Sequence, residues 1–295
     1  MRPRSSVLHV VVLVLGLSAC SRSPEVAFNK GQYLEAADLW LQQAENGNPD
    51  ALCRCMAALN ILGKNPKKAK HLAERLSNLA EASDKRIRNS RENREVELAK
   101  LFSCFQTYFR KAADAGNANA QYLLADWYRG QEGKSAEIER LFELAAKNGD
   151  PRAQYQMGVK HFNDTDKSTV LRWWKLSSAK EYFPATQNLA IMYRDGDGVA
   201  QDFELAAKLF LKGAQQGFAS AQMDIGNMYA RGQGVPQDFV QAHFWFNVAG
   251  FKAMTEQERK QANEARDLIA QNMTHEQVAE AQSLAREWRP KEADY

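Results

Sequence analysis

The chain has 295 residues, 44% of them hydrophobic, with 39 Lys plus Arg against 36 Asp plus Glu and a net charge of +3. That length supplies a substantial core, or an elongated array of small ones. The near-neutral balance excludes the concentrated positive field that nucleic-acid binding requires.

The N-terminus reads MRPRSSVLHVVVLVLGLSACS. Arg2 and Arg4 precede an apolar run, Val7 to Leu17, that is too short to span a bilayer and fits the core of a signal peptide. Leu17, Ser18, Ala19 and Cys20 follow in an order that resembles the bacterial lipobox, which implies cleavage before Cys20 and acylation of its thiol. Removal of the leader takes away Arg2 and Arg4 and leaves a net charge of +1. The expected product hangs from lipid on the periplasmic face of a bacterial membrane. Ser21, where many inner-membrane lipoproteins carry Asp, favours the outer membrane.

From Ala36 onward, apolar residues recur at spacings of three and four, the signature of amphipathic helices. Ala36, Leu39, Trp40, Ala44 and Gly47 mark one helix; Leu98, Leu101, Phe102, Phe105, Tyr108, Phe109 and Ala112, closed by Gly116, mark another. Ala51 lies 69 residues before Ala120, a gap expected to hold one recognisable unit and one degraded unit. Three cysteines follow Cys20. Cys53 and Cys55 point about 200° apart on a helix and cannot bond to each other. One disulfide is therefore possible, from Cys104 to either of them.

The next stretch repeats itself. YRDGDGVAQDFELAAKLFLKGAQQG begins at Tyr193, and YARGQGVPQDFVQAHFWFNVAGFKA follows at Tyr229. The shared pattern is Ala-Gln-x-x-Leu-Gly-x-x-Tyr, a glycine-rich turn and Asp. Ala then falls four residues after that Asp, bulky residues at seven and eight, small residues at eleven and twelve, and Gly at fifteen. Weaker copies lead from Ala120 and Ala153, so the leading alanines, with Ala185 and Ala221, stand 33, 32 and 36 residues apart. Each copy predicts two helices whose apolar stripes can be buried only by stacking on neighbours. Pro49, Pro66, Pro151, Pro184 and Pro236 fall at junctions or helix starts, and Gly near the end of each second helix predicts a left-handed stop. Beyond Ala253 the repeat ends. TEQE at Thr255 and THEQ at Thr274 are capping boxes opening helices near 256–271 and 275–288. Leu268, Ile269, Val278, Ala281, Leu284, Ala285 and Trp288 are expected to cover the end of the array.

This pattern closely resembles the Sel1-like repeat, a relative of the tetratricopeptide repeat. The resemblance implies an all-α fold: a right-handed α/α superhelix, or solenoid, of helical hairpins with C-terminal capping helices, and a protein-binding role without catalysis. The chain accordingly divides into a leader over 1–19, an acylated Cys20 and tether over 20–25, a solenoid over 26–253 that is degenerate around 64–100, and capping helices over 254–295.

Several motifs offer chemistry and lose to plainer readings. DGDG at Asp195 lacks the Glu that would close a calcium loop, and its counterpart RGQG has no acids. Ser177-Ser178-Ala179-Lys180 matches S-x-x-K of penicillin-recognising enzymes, but the companion motifs are missing and both serines fall at small packing positions of the repeat. A β-lactam-interacting enzyme is therefore the least favoured alternative. His71, His161, His243 and His275 are scattered, and no metal or other cofactor is expected. Lys85, Arg86, Arg88, Arg91 and Arg94 alternate with acids and read as a solvated helix face.

The helical angle places the binding surface. Motif positions 2, 3 and 6 of each first helix point away from the core, toward the concave groove that related repeats use. The expected protein-binding residues there are Tyr122, Asp126, Tyr155, Val159, Gln187, Ile191, Met223 and Asn227, a mixture of apolar groups and amides typical of interfaces. The expected partner is another protein, with membrane attachment through Cys20 and no nucleic acid. The finer expectation is an immunity protein that neutralises a toxic secreted effector, such as a phospholipase delivered by type VI secretion. The alternative is an adaptor in envelope or exopolysaccharide assembly.

Overall fold

The computed structural model describes residues 23–45, 49–62, 75 and 94–290, and every regular element among them is an α-helix. Cys20, Cys53, Pro66, His71 and the basic stretch from Lys85 to Arg91 lie outside the residues whose side chains are described. Two compact units divide at Asp150 and Pro151.

The first unit contains α1 (Pro24–Asn29), α2 (Tyr33–Glu45), α3 (Pro49–Leu62), α4 (Arg94–Asp114), α5 (Ala118–Trp127) and α6 (Ser135–Lys147). Ser23 caps α1 by accepting from the Val26 amide, and Pro24 occupies its first turn. Phe28 of α1 meets Tyr33, Trp40 and Tyr108 at ring-centroid distances of 5.1, 5.4 and 5.2 Å. Glu25 accepts from the Trp40 indole and from Arg54 beneath this cluster. Helix α3 packs on α4 and on α5, and Asn119 at the start of α5 donates to the Ile61 carbonyl at 2.9 Å. Between α3 and α4, residues 63–93 are described only at Arg75, so the degraded unit expected in the 69-residue spacing lies outside the described residues. Cys104 is disulfide-bonded, in line with the single bridge the spacing allows.

The second unit contains α7 (Pro151–Lys160), α8 (Ser168–Ala179), α9 (Phe183–Asp195), α10 (Phe203–Gln215), α11 (Ala219–Arg231), α12 (Phe239–Lys252), α13 (Glu256–Ala270) and α14 (His275–Glu287). From α7 to α13 each helix packs on the next, and α14 packs on α12. The letters of the duplicated line each make a bond. Asp202 and Asp238 cap α10 and α12 by accepting from Leu205 N and Gln241 N. Their own amides donate to the carbonyls of Tyr193 and Tyr229. Gln201 and Gln237 donate to the carbonyls of Arg194 and Ala230 at 2.8 and 2.9 Å. Gly196 and Gly232 end α9 and α11 in the left-handed region. A Cβ at Gly234 would lie 2.0 Å from the Phe203 carbonyl oxygen, so backbone approach as well as positive φ demands glycine there.

The first helices bury motif positions 0, 1, 4 and 5. Ala221, Gln222, Ile225 and Gly226 are buried in α11, and Ala153, Gln154, Met157 and Gly158 in α7. Gly158 and Gly226 receive the rings of Trp174 and Phe246 from the paired second helices, where a Cβ would sit 2.2 and 2.7 Å from the nearest ring atom. Both capping boxes form, at Thr255–Glu258 and Thr274–Gln277. The cover they introduce differs in detail from expectation. Ala281, Ala285 and Trp288 pack on the core as expected, joined by Met273, but Leu268 is 62% exposed and Leu284 39%.

Candidate functional site: the groove between α7 and α9

In the second unit the first helices of consecutive hairpins leave a groove of about 570 Å³. Helix α7 lines it with Tyr155 and Val159, the following loop with Phe162 and Asn163, and α8 with Trp174. Helix α9 and its turn add Asn188, Ile191, Met192, Asp195 and Asp197. The floor is aromatic: Trp174 stacks against Tyr155 at 6.1 Å and Phe162 at 5.7 Å. Its indole donates to the Tyr155 carbonyl, which fixes the ring. Asn188 donates to the Tyr155 hydroxyl at 3.4 Å, linking the two helices across the groove.

A polar cluster borders this floor. Arg194 binds both carboxylate oxygens of Asp195 and stands 3.6 Å from Asp224 of α11. Burial pushes the Asp224 carboxyl up to about 6, although Arg194 and a hydrogen bond with Gln187 pull it down. The Arg194 hydrogen bond holds Asp195 below the usual carboxylate range. Lys167 lies 3.9 Å from Asp197 and 4.1 Å from the centroid of the Phe162 ring. Asp224 does not itself line the groove; Arg194 links it to Asp195, which does.

Of the residues expected at the binding face, Tyr155, Val159 and Ile191 line the groove, and Gln187 bonds Asp224 beside it. Met223 and Asn227 are half-buried on α11. Tyr122 and Asp126 belong to the first unit. There Tyr122 packs edge-on to Phe142 at 5.5 Å, and Asp126 pairs with Arg129 at 3.3 Å. Sequence reasoning did not single out Phe162, Asn163, Trp174 or Arg194. Asp195 and Asp197 drew notice only as part of a calcium-loop pattern.

The serines of the S-x-x-K match are structural. Ser177 is buried and donates to the Pro151 carbonyl at 2.6 Å; Ser178 bonds the Thr186 hydroxyl at 2.7 Å. In other repeats that role falls to the motif glutamine. Gln121 and Gln222 donate to the carbonyls of Ala113 and Ala214 near the end of the preceding helix. Thr186 replaces that glutamine, and Ser178 reaches it from the preceding helix. The Ser177 hydroxyl, aimed at a carbonyl inside the hairpin, has no path to a substrate. His161 bonds Asp164, and His243 is buried in α12, where desolvation lowers its pKa. Among the described residues no helix is long and apolar enough to cross a membrane.

The Sel1 repeat profile matches residues 107–117, 118–150, 184–218 and 219–250. The hairpin α7–α8 falls between matched segments, yet it keeps the buried alanine, the glycine–aromatic contact and the same pairing. A curated relative from Rhizobium leguminosarum bv. viciae, described as an exopolysaccharide production negative regulator, is 30% identical over 90 residues. Those residues are 30% of this chain and 34% of that protein. A protective antigen present in uropathogenic Escherichia coli strains, displaying an SLR fold, superposes with a TM-score of 0.57 at 24% identity. The match covers 89% of this chain and 58% of that one, and it shows the fold alone. An immunity protein from Pseudomonas aeruginosa superposes at a TM-score of 0.36 and 19% identity, over 81% of this chain and 74% of that one. That superposition is too loose to bear on function. Repeat profile, hairpin geometry and SLR fold agree: the chain carries Sel1 repeats over 107–150 and 184–250, a repeat that in general builds non-enzymatic scaffolds for protein–protein interaction.

Proposed function

We infer that this protein is a lipid-anchored scaffold on the periplasmic face of a bacterial membrane, the outer membrane by preference, and that its groove-bearing face captures a partner protein. The observation that carries the reading is the groove itself: an aromatic floor with Asn188 and Ile191 on one wall and a half-buried carboxyl at its border. The Cys104 disulfide supports an oxidising compartment. The lipobox-like residues before Cys20 support the anchor. The finer reading is an immunity protein that occludes a toxic secreted enzyme, a phospholipase being the type that works where a short tether holds the groove. Neutralisation needs only a tight occluding complex, and a few central anchors dominate such binding.

The test is protection of cells that express a periplasmic effector encoded beside this gene. Tyr155, Ile191 and Met223 changed together to Ala should leave helicity intact and abolish protection. Full protection by that variant would sink the groove-face reading. The Rhizobium relative favours a second reading, an adaptor or regulator in exopolysaccharide production. Deletion of the gene would then change exopolysaccharide output, while no neighbouring effector would be neutralised.

A further inference from the structure

We propose that the α7–α9 groove takes a short extended stretch of the partner in which a large apolar or aromatic side chain is followed by lysine or arginine. The proposal rests on the reading of this face as partner-binding and names what it recognises. Tyr155, Phe162, Trp174 and Ile191 form the apolar floor and walls. About 570 Å³ accommodates a few side chains and is within the range of small-ligand sites. Asn163 and Asn188 bring carboxamides, each able to donate and accept, the complement of a peptide unit.

The charge selects the flanking residue. Two loops frame the groove: 161–167, which supplies Phe162 and Asn163, and 194–198, which supplies Asp195 and Asp197. Together they carry four carboxylates, Asp164, Asp166, Asp195 and Asp197, against two cations, Lys167 and Arg194, a formal charge of −2 with His161 neutral. Asp224 adds a further carboxyl beside Arg194. Asp195 is committed to Arg194 on both oxygens. Asp197 is held only loosely, 3.9 Å from Lys167, with its side chain 47% exposed. An incoming ammonium or guanidinium therefore meets Asp197 first, while the preceding apolar side chain packs on Phe162 and Tyr155, which cover the buried Trp174. An acidic flank would meet like charge at the same place.

The experiment uses the full chain in detergent and three capped tetrapeptides: Gly-Phe-Lys-Gly, Gly-Phe-Glu-Gly and Gly-Ser-Lys-Gly. Binding is followed by the methyl resonances of Val159 and Ile191. The Phe-Lys peptide should shift both and bind at least about threefold more tightly than the Phe-Glu peptide, and the Ser-Lys peptide should leave them unmoved. Asp197→Asn should reduce the Lys-over-Glu preference about two- to threefold, in line with an exposed ion pair. Equal binding of the Lys and Glu peptides overturns the charge assignment, and shifts confined to other methyls overturn the site. If no peptide moves these resonances, the inference falls, while the protection assay still decides whether the face binds a partner at all.

Discussion

The side-chain amide of Gln222 donates to the carbonyl oxygen of Ala214, eight residues earlier and one helix away, at 3.1 Å. Gln121 makes the same bond to Ala113 at 2.9 Å. Both glutamines are buried. Each adds a second donor to a carbonyl near the end of the preceding helix, which also accepts from the amide of Gly116 or Gly217 at 3.0 Å. The Ala-Gln pairs at Ala120–Gln121 and Ala221–Gln222 thus fasten one hairpin to the next.

Replacement of Gln222 by Leu keeps the volume and removes one of two donors to the Ala214 carbonyl, which still accepts from the Gly217 amide at 3.0 Å. A loss of about 0.5–1.5 kcal/mol in unfolding free energy is expected, the net worth of one neutral hydrogen bond to a carbonyl that keeps its backbone donor. Urea denaturation followed by circular dichroism measures it. An unchanged midpoint would show that this link contributes nothing to the array.

Gly158→Ala and Gly226→Ala should each destabilise by about 1–3 kcal/mol, since the added methyl must displace the Trp174 or Phe246 ring. Gly158→Ala carries a second expectation, because Trp174 is the groove floor. Thermal unfolding reads the stability, and Val159 and Ile191 methyl shifts read the floor. Gly226→Ala should spare those methyls.

The pH dependence is assigned to Asp224. Its folded-state pKa is pushed up from 3.8 to about 6, so the folded protein holds this proton more tightly than the unfolded chain does. Stability from this group is therefore complete below about pH 4 and is lost as pH rises through 6. A shift of that size is worth up to about 3 kcal/mol at pH 7. Asp224→Asn should raise the melting temperature at pH 7, and the advantage should shrink to nothing near pH 4. An advantage that is independent of pH would rule out titration of Asp224 as the cause.

The repeat was legible because its letters act locally. Asp202, Gly196 and Gln201 satisfy backbone groups within their own turn, so spacing alone predicts their positions. The hairpin α7–α8 was legible too, since Gly158 facing Trp174 repeats the contact of Gly226 with Phe246. The groove was only partly so. Helical angle found Tyr155, Val159 and Ile191, but Phe162 and Asn163 come from a loop that has no period. Trp174 reaches the groove from the second helix, across the gap that Gly158 leaves. In the terminal helices Ala262 is buried and Leu268 exposed. A helix this rich in charge offers two plausible apolar faces, and contact with α12 chooses the one with the smaller residues.

The last prediction concerns the tether. Helix α1 begins at Pro24 with Ser23 as its cap, so three residues, Ser21 to Ser23, separate Cys20 from folded structure. Fully extended they reach roughly 10 Å. Acylation at Cys20 would therefore hold the first unit close to the bilayer surface. Cys20→Ala should move the protein from the membrane fraction to a soluble or unprocessed one. Insertion of a flexible Gly/Ser linker of about 20 residues after Ser21 should leave fractionation unchanged, because the lipid remains. A chain of that kind has a mean span of roughly 25 Å, enough to free the protein from the headgroup region. If the partner is a lipid-attacking enzyme caught at the surface, the linker variant should protect less well than wild type at equal abundance. Equal protection would show that capture does not depend on closeness to the membrane, and an unchanged fraction for Cys20→Ala would remove the anchor altogether.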